Sequence, residues 1–125
     1  MVRDDEVSSP PQSVGGDETA RGLYEDLTDD LLYDPAIGRS TMMGYPCVRL
    51  AKRFLASYDD QAEALVVKLP RERVDELVEA GEGDPFAPAG RTFREWVSVS
   101  AGRRELWRAL LAEAVDFARG SLDEA

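Results

Sequence analysis

Apolar and polar positions along the chain follow two different periods, and the changes between them mark out the elements. From Thr19 onward, Ala20, Leu23, Tyr24, Leu27 and Leu31 recur at steps of three and four, with Glu25, Asp26, Asp29 and Asp30 opposite. That is the spacing of an amphipathic helix. Asp17 is placed as its cap, and the helix is expected to reach about Tyr33 before Pro35 and Gly38 end it. Three extended segments then follow. In PCVRL, Val48 and Leu50 share one face while Cys47 and Arg49 share the other, and RFLASY continues after a tight turn near Ala51 and Lys52. Between Glu63 and Leu69 the alternation puts Leu65, Val67 and Leu69 inward and Val66 and Lys68 outward. With Asp59 and Asp60 marking the second turn, the three read as an antiparallel meander.

Pro70 closes that strand, and Glu72 to Ala80 takes helical spacing through Val74, Leu77 and Val78, with Gly81 as its C-terminal cap. GEGDPFAPAG sustains neither period and is expected to be a loop anchored by an inward Phe86. TFREWVSVS alternates again: Phe93, Val97 and Val99 on one face, Arg94, Trp96 and Ser98 on the other. A last helix is expected over about Arg103 to Arg119, with Leu106, Trp107, Leu110, Leu111, Ala114, Phe117 and Ala118 as its apolar stripe. The order lacks strict βαβ alternation. It predicts an α+β domain: an antiparallel sheet of about four to five strands with helices packed mainly on one face.

Composition narrows the chemistry. The 125 residues contain no histidine and one cysteine. That rules out a Ser-His-Asp triad, a Cys-His nucleophile pair, a zinc site of several Cys or His ligands, and an internal disulfide. Residues 1–17, rich in acids, serine, Pro-Pro and Gly-Gly, bury too little to offset ordering of about 1 to 2 kcal/mol per residue and are expected to be a disordered tail. Residues 18–121 are expected to form one domain. No apolar run approaches the ~20 residues of a membrane helix, and no basic-then-apolar leader opens the chain, so a cytoplasmic protein without membrane contact is expected. The net charge of -10 disfavours non-specific binding to nucleic acid. It is unevenly spread: residues 39–73 hold seven bases and four acids, so the middle of the chain is locally positive.

Several motifs together resemble bacterial TfoX N-terminal-like domains and the related YjbR or MmcQ-like proteins. These are Arg39 followed by Met42, Met43 and Gly44; a hairpin leading through Lys52 to Phe54 and Ala56; the VVKL strand of Val66 to Leu69; Gly81 with Pro85 and Phe86; and the late EWVSV strand before a terminal helix. The resemblance covers about residues 20–119. It implies a compact α+β fold like those of YjbR and secretion-chaperone-type domains. Family members include competence regulators and predicted DNA-binding proteins. Two departures stand out: Ala51 occupies the hairpin position where glycine is typical, and no second domain of the kind in full-length TfoX-type regulators is seen, which weakens a transcriptional role.

The candidate sites follow from these elements. Arg49, Lys68, Arg94 and Trp96 are expected on the outer sheet face, a combination of bases and an aromatic that suits an acidic peptide from a partner or single-stranded nucleic acid. Cys47, beside Arg49, is a candidate redox thiol. In TMMGYPCV, Met42 and Met43 read as core filler and Gly44 to Pro46 as a bend. No catalytic set, cofactor site or metal site is indicated. The expected function is a non-enzymatic interaction or regulatory module that engages a protein partner or its own copy. The alternatives are a DNA-binding or competence-type regulator, and a small-molecule binder or minor enzyme.

Overall fold

The computed structural model describes residues 19–42 and 44–124, the side chains of 89 and 121–124 excepted. The tail expected over 1–17, the cap assigned to Asp17 and the role given to Met43 fall outside these residues. The chain runs α1 (Ala20–Leu31), β1 (Ile37–Met42), β2 (Tyr45–Leu50), β3 (Arg53–Asp59), β4 (Ala64–Lys68), α2 (Arg71–Glu79), β5 (Asp84–Phe86), β6 (Phe93–Ser100) and α3 (Trp107–Glu124). Short 3-10 turns at Pro88–Gly90 and Ala101–Leu106 flank β6. The fold is α+β. Its six strands form one sheet in the order β1-β2-β3-β4-β6-β5, and every neighbouring pair is antiparallel.

The inward positions of the meander behave as their alternation dictates. Val48, Leu50, Leu65, Val67, Leu69, Val97 and Val99 are fully buried and share one core with Tyr24 and Leu27 of α1, Val74 and Leu77 of α2, and Trp107, Leu110, Leu111 and Ala114 of α3. Each such aliphatic side chain stabilises the fold by roughly 1.5 to 3 kcal/mol relative to exposure. The Trp107 indole N–H reaches the Val99 carbonyl at 3.1 Å, so the largest side chain of the core leaves no donor unpaired.

Thr19, rather than Asp17, caps α1, its hydroxyl accepting from the Gly22 amide. At the end of α2, Gly81 takes φ +74°, the Glu82 amide donates to the Leu77 carbonyl, and the Gly81 amide donates to that of Val78. This is a Schellman ending, as the glycine position predicts. The last helix begins later than expected: residues 101–106 wind as 3-10 and α3 proper runs on to Glu124.

Six strands stand against the four to five expected, and two of them, β1 and β5, lie in segments whose pattern did not read as extended. β1 carries Arg39 and Thr41 at inward positions where an apolar pattern would have revealed a strand. Arg39 is accepted there because it ion-pairs with Asp29 of α1 and donates to the Glu25 carbonyl. β5 is three residues long and pairs with β6, where the loop was expected. Facing it, β6 bulges: Pro85 pairs with Val97 and Phe86 with Phe93, so Arg94, Glu95 and Trp96 have no partner on β5. A second bulge lies in β3, where Ala56 opposes Val48 and Phe54 opposes Arg49. It lets Leu55 and Ala56, neighbours in sequence, both enter the core while Phe54 turns to the outer face.

Candidate functional site

The three helices leave the other face of the sheet to side chains alone. The register places Arg49 opposite Phe54, and Lys68 opposite Trp96. The Arg49 guanidinium lies 5.3 Å from the Phe54 ring centre, and Phe54 lies 6.5 Å from Trp96. Trp96 in turn meets Phe86 at 6.3 Å, Phe86 meets Phe93 at 6.0 Å, and Arg91 stacks over Phe93 at 5.4 Å. Four tilted rings therefore form a continuous ribbon across the sheet with an arginine at each end. All four are half-buried, so each presents an edge or part of a face outward.

Of the residues expected on this face, the structure brings Arg49, Lys68 and Trp96 together. It sets Arg94 apart. The β6 bulge carries Arg94 to the sheet edge, where it lines a cavity of about 380 Å³ with Val74, Val78 and Arg71 of α2. Phe86 is not the inward anchor expected; its ring joins the ribbon, and the same bulge brings Phe93 there instead of into the core. Phe54, Phe86, Phe93 and Arg91 are the members the alternation missed. Phe54 was within reach of the sequence, because a two-residue turn at Ala51 and Lys52 places positions 49 and 54 opposite one another.

The bases differ in their ion pairing. Arg21 pairs with Asp60, Arg39 with Asp29, Arg73 with Glu113, Arg108 with Asp30, and Arg119 with Asp34. These contacts tie helices to one another or to the turns and strands beside them. Arg49, Lys68, Arg91 and Arg94 pair with no carboxylate among the described residues, and neither do Lys52, Arg53, Arg71 and Arg103. In a chain with ten more acids than bases, Arg49, Lys68 and Arg91 beside the aromatic ribbon remain available to an anionic ligand.

A row of small residues crosses the same face: Ser40, Cys47, Ser57, Val66, Ser98 and Asp84 are successive register partners across all six strands. Ser57, Val66 and Ser98 contribute to a cavity of about 540 Å³ between Tyr45 on one side and Asp84 and Phe86 on the other. Val66, expected outward, is buried in this row, and so is Cys47. Burial pushes the Cys47 thiol upward, against the opposing pull of Arg49 and of a hydrogen bond with Ser40. That is the environment of a packed thiol, since reactivity needs thiolate and access.

Among the described residues no three His, Cys, Asp or Glu side chains gather as a metal site, and no helix is long and apolar enough to cross a membrane. Compared with family models, curated proteins and solved structures, the chain matches none significantly.

Proposed function

We propose that this protein, which resembles TfoX N-terminal-like and YjbR proteins, is a non-enzymatic interaction module, and that it engages a protein partner or its own copy through the helix-free face of its sheet. The observation that carries this is the ribbon of four half-buried rings on the helix-free face, with Arg49 stacked at one end and Arg91 at the other. Arg49, Arg91 and Lys68 beside the ribbon pair with no carboxylate among the described residues. Rings and guanidinium groups are the side chains that dominate binding energy at protein interfaces. An acidic partner segment would supply the missing carboxylates and be steered to the face by its charge.

The test is Arg49→Glu/Lys68→Glu, compared with wild type by affinity capture and by light scattering across concentration. Capture of a defined partner, or self-association, that the double variant abolishes is the expected result. A protein monomeric at all concentrations, with a captured set identical for both forms, overturns it.

Nucleic-acid binding is the second reading, supported by the same alternation of rings and bases, which stacks and neutralises single strands elsewhere. The net charge of -10 ranks it lower. It predicts an affinity for single-stranded DNA that falls steeply as salt is raised. Absence of binding at ~50 mM salt, where counterion release is most favourable, excludes it.

A further inference from the structure

The helix-free face has large side chains along one side and a hollow along the other. Outward positions of a strand recur at every second residue, so the register sorts them into rows about 7 Å apart. One row is the ribbon: Arg49, Phe54, Lys68 and Trp96, then Phe86 with Arg91 beyond it, the β3 bulge bringing Phe54 into line. The next row runs from Cys47 through Ser57, Val66 and Ser98 to Asp84. A third holds Met42, Tyr45 and Asp59. Rings in the first row and small side chains in the second make a ridge beside a groove. The cavity of about 540 Å³ is that groove, with Ser57, Val66 and Ser98 among its lining and Tyr45 and Phe86 at its sides. Phe86 belongs to the ridge and to the cavity, so the two adjoin.

Charge follows the same division. The ridge carries Arg49, Lys68 and Arg91, whereas the cavity is lined by Asp59 and Asp84 and by no base. Neither carboxylate makes a salt bridge among the described residues. Asp59 uses one oxygen to accept from the Gln61 and Ala62 amides, and Asp84 stands exposed. A single surface thus carries both halves of one complement, in shape and in charge. A foreign acidic segment would match the ridge alone and leave the acidic groove beside it unused. A second copy uses both.

We propose that the helix-free face binds a second copy of this chain, in a symmetric sheet-on-sheet dimer in which the aromatic ridge of each copy fills the groove of the other. This rests on the reading of that face as a partner-binding surface and names the partner. The two-fold axis lies in the interface and runs across the strands between the first two rows, so the same patch serves both copies. Each strand then crosses its own counterpart with direction reversed. Phe54 and Trp96 of one copy lie over Ser57 and Ser98 of the other, and Phe86 and Arg91 lie over Asp84. Lys68 comes within reach of Asp59, and Arg49 within reach of the Tyr45 ring. Packed sheets stand about 10 Å apart, and the small receiving row leaves room for rings within that spacing. Six strands about 4.8 Å apart, with about six residues of 3.3 Å each, present a face of roughly 29 by 20 Å. Corrugated by side chains, that is the scale of the ~800 Å² per partner of a standard interface.

Arg91 and Asp84 are both exposed and neither has a salt bridge within the described residues, so reversing their charges leaves the core alone. In sedimentation velocity, the wild-type mass is expected to rise towards that of a dimer with concentration. Trp96 emission is expected to shift to the blue and lose access to acrylamide over the same range, Trp107 being fully buried in the monomer already. Arg91→Glu sets two acids against each other across the interface, and Asp84→Arg sets two bases; each is expected to raise the dissociation constant at least tenfold. Mixed in equal amounts, the two variants meet as opposite charges at both contacts. Their mixture is expected to regain the wild-type association, which also shows that each variant is folded. A wild type that stays monomeric to millimolar concentration, or a mixture that associates no better than either variant alone, overturns the dimer. A dimer in which Trp96 remains as accessible as in the monomer overturns it too. If wild type is monomeric yet captures a foreign protein that Arg49→Glu/Lys68→Glu loses, the interaction face stands and the second copy falls as its occupant. A wild type that neither self-associates nor captures a partner overturns both.

Discussion

Ala51 adopts φ +53° and Glu63 φ +52°, both in the left-handed region, at the two turns of the β2-β3-β4 meander. A Cβ in that conformation costs about 1 to 2 kcal/mol. The sequence posed the question directly, since an alanine where a hairpin favours glycine must either select another turn or carry the strain; it carries the strain. Ala51→Gly removes the Cβ at the cost of a more flexible unfolded chain, an opposing term of about 0.4 to 1 kcal/mol. The expected net gain is about 0.5 to 1 kcal/mol, read as a higher urea midpoint with unchanged slope. A lower midpoint would mean that the alanine methyl is held by contacts worth more than the strain.

At the scale of elements, α1 is fastened to the sheet by a tyrosine pair. Tyr24 of α1 and Tyr58 of β3 lie with ring centres 5.5 Å apart, and the Tyr24 hydroxyl lies 3.5 Å from the Pro46 carbonyl of β2. Burial pushes the ionisation of both phenols upward, Tyr24 far more than Tyr58; the nearby Cys47 raises Tyr24 further, and Glu63 and Asp60 raise Tyr58. The sign follows from linkage. The fold holds both groups neutral, whereas the unfolded chain ionises them near the ordinary phenol value of about 10. Their contribution is therefore complete below about pH 10 and is lost as pH rises above it. Urea midpoints from pH 8 to 11.5 should fall above pH 10, and Tyr24→Phe should flatten that fall. At pH 8 the variant should stay within about 1 kcal/mol of wild type, because a 3.5 Å hydrogen bond is a weak one. An unchanged alkaline profile in Tyr24→Phe would assign the fall to other groups. Helical elements of this kind were legible because their periodicity runs over several turns. β1 and β5 were not, because β1 spends an inward position on Arg39, which Asp29 satisfies, and β5 is held by three residues of pairing with a bulged partner.

Over the whole molecule, five arginines carry ion pairs that join elements while Lys68 and Arg94 carry none among the described residues, and that difference can be measured without knowing any partner. Arg73 makes a two-point contact with Glu113, at 2.9 and 3.2 Å, that joins α2 to α3, and it reaches Glu76 besides. Both partners are more than a third exposed, so solvent screens the pair and its worth is about 1 kcal/mol at most. Lys68 and Arg94 have no such partner among the described residues. The alternation of β4 and β6 identified them as outward, yet it could not show which bases were already neutralised, because ion pairs such as Arg21 with Asp60 and Arg119 with Asp34 join residues far apart in sequence. If the sheet-side cations are kept for binding, replacing them should leave folding alone. Lys68→Gln and Arg94→Gln are expected to change unfolding free energy by less than about 0.5 kcal/mol, as surface substitutions without partners do. Arg73→Ala should cost about 1 kcal/mol, and a double-mutant cycle with Glu113→Ala should recover most of that as coupling. Urea unfolding of the four variants and the double variant decides it. Destabilisation by Lys68→Gln or Arg94→Gln equal to that by Arg73→Ala would make those cations structural and would count against their being kept for a partner.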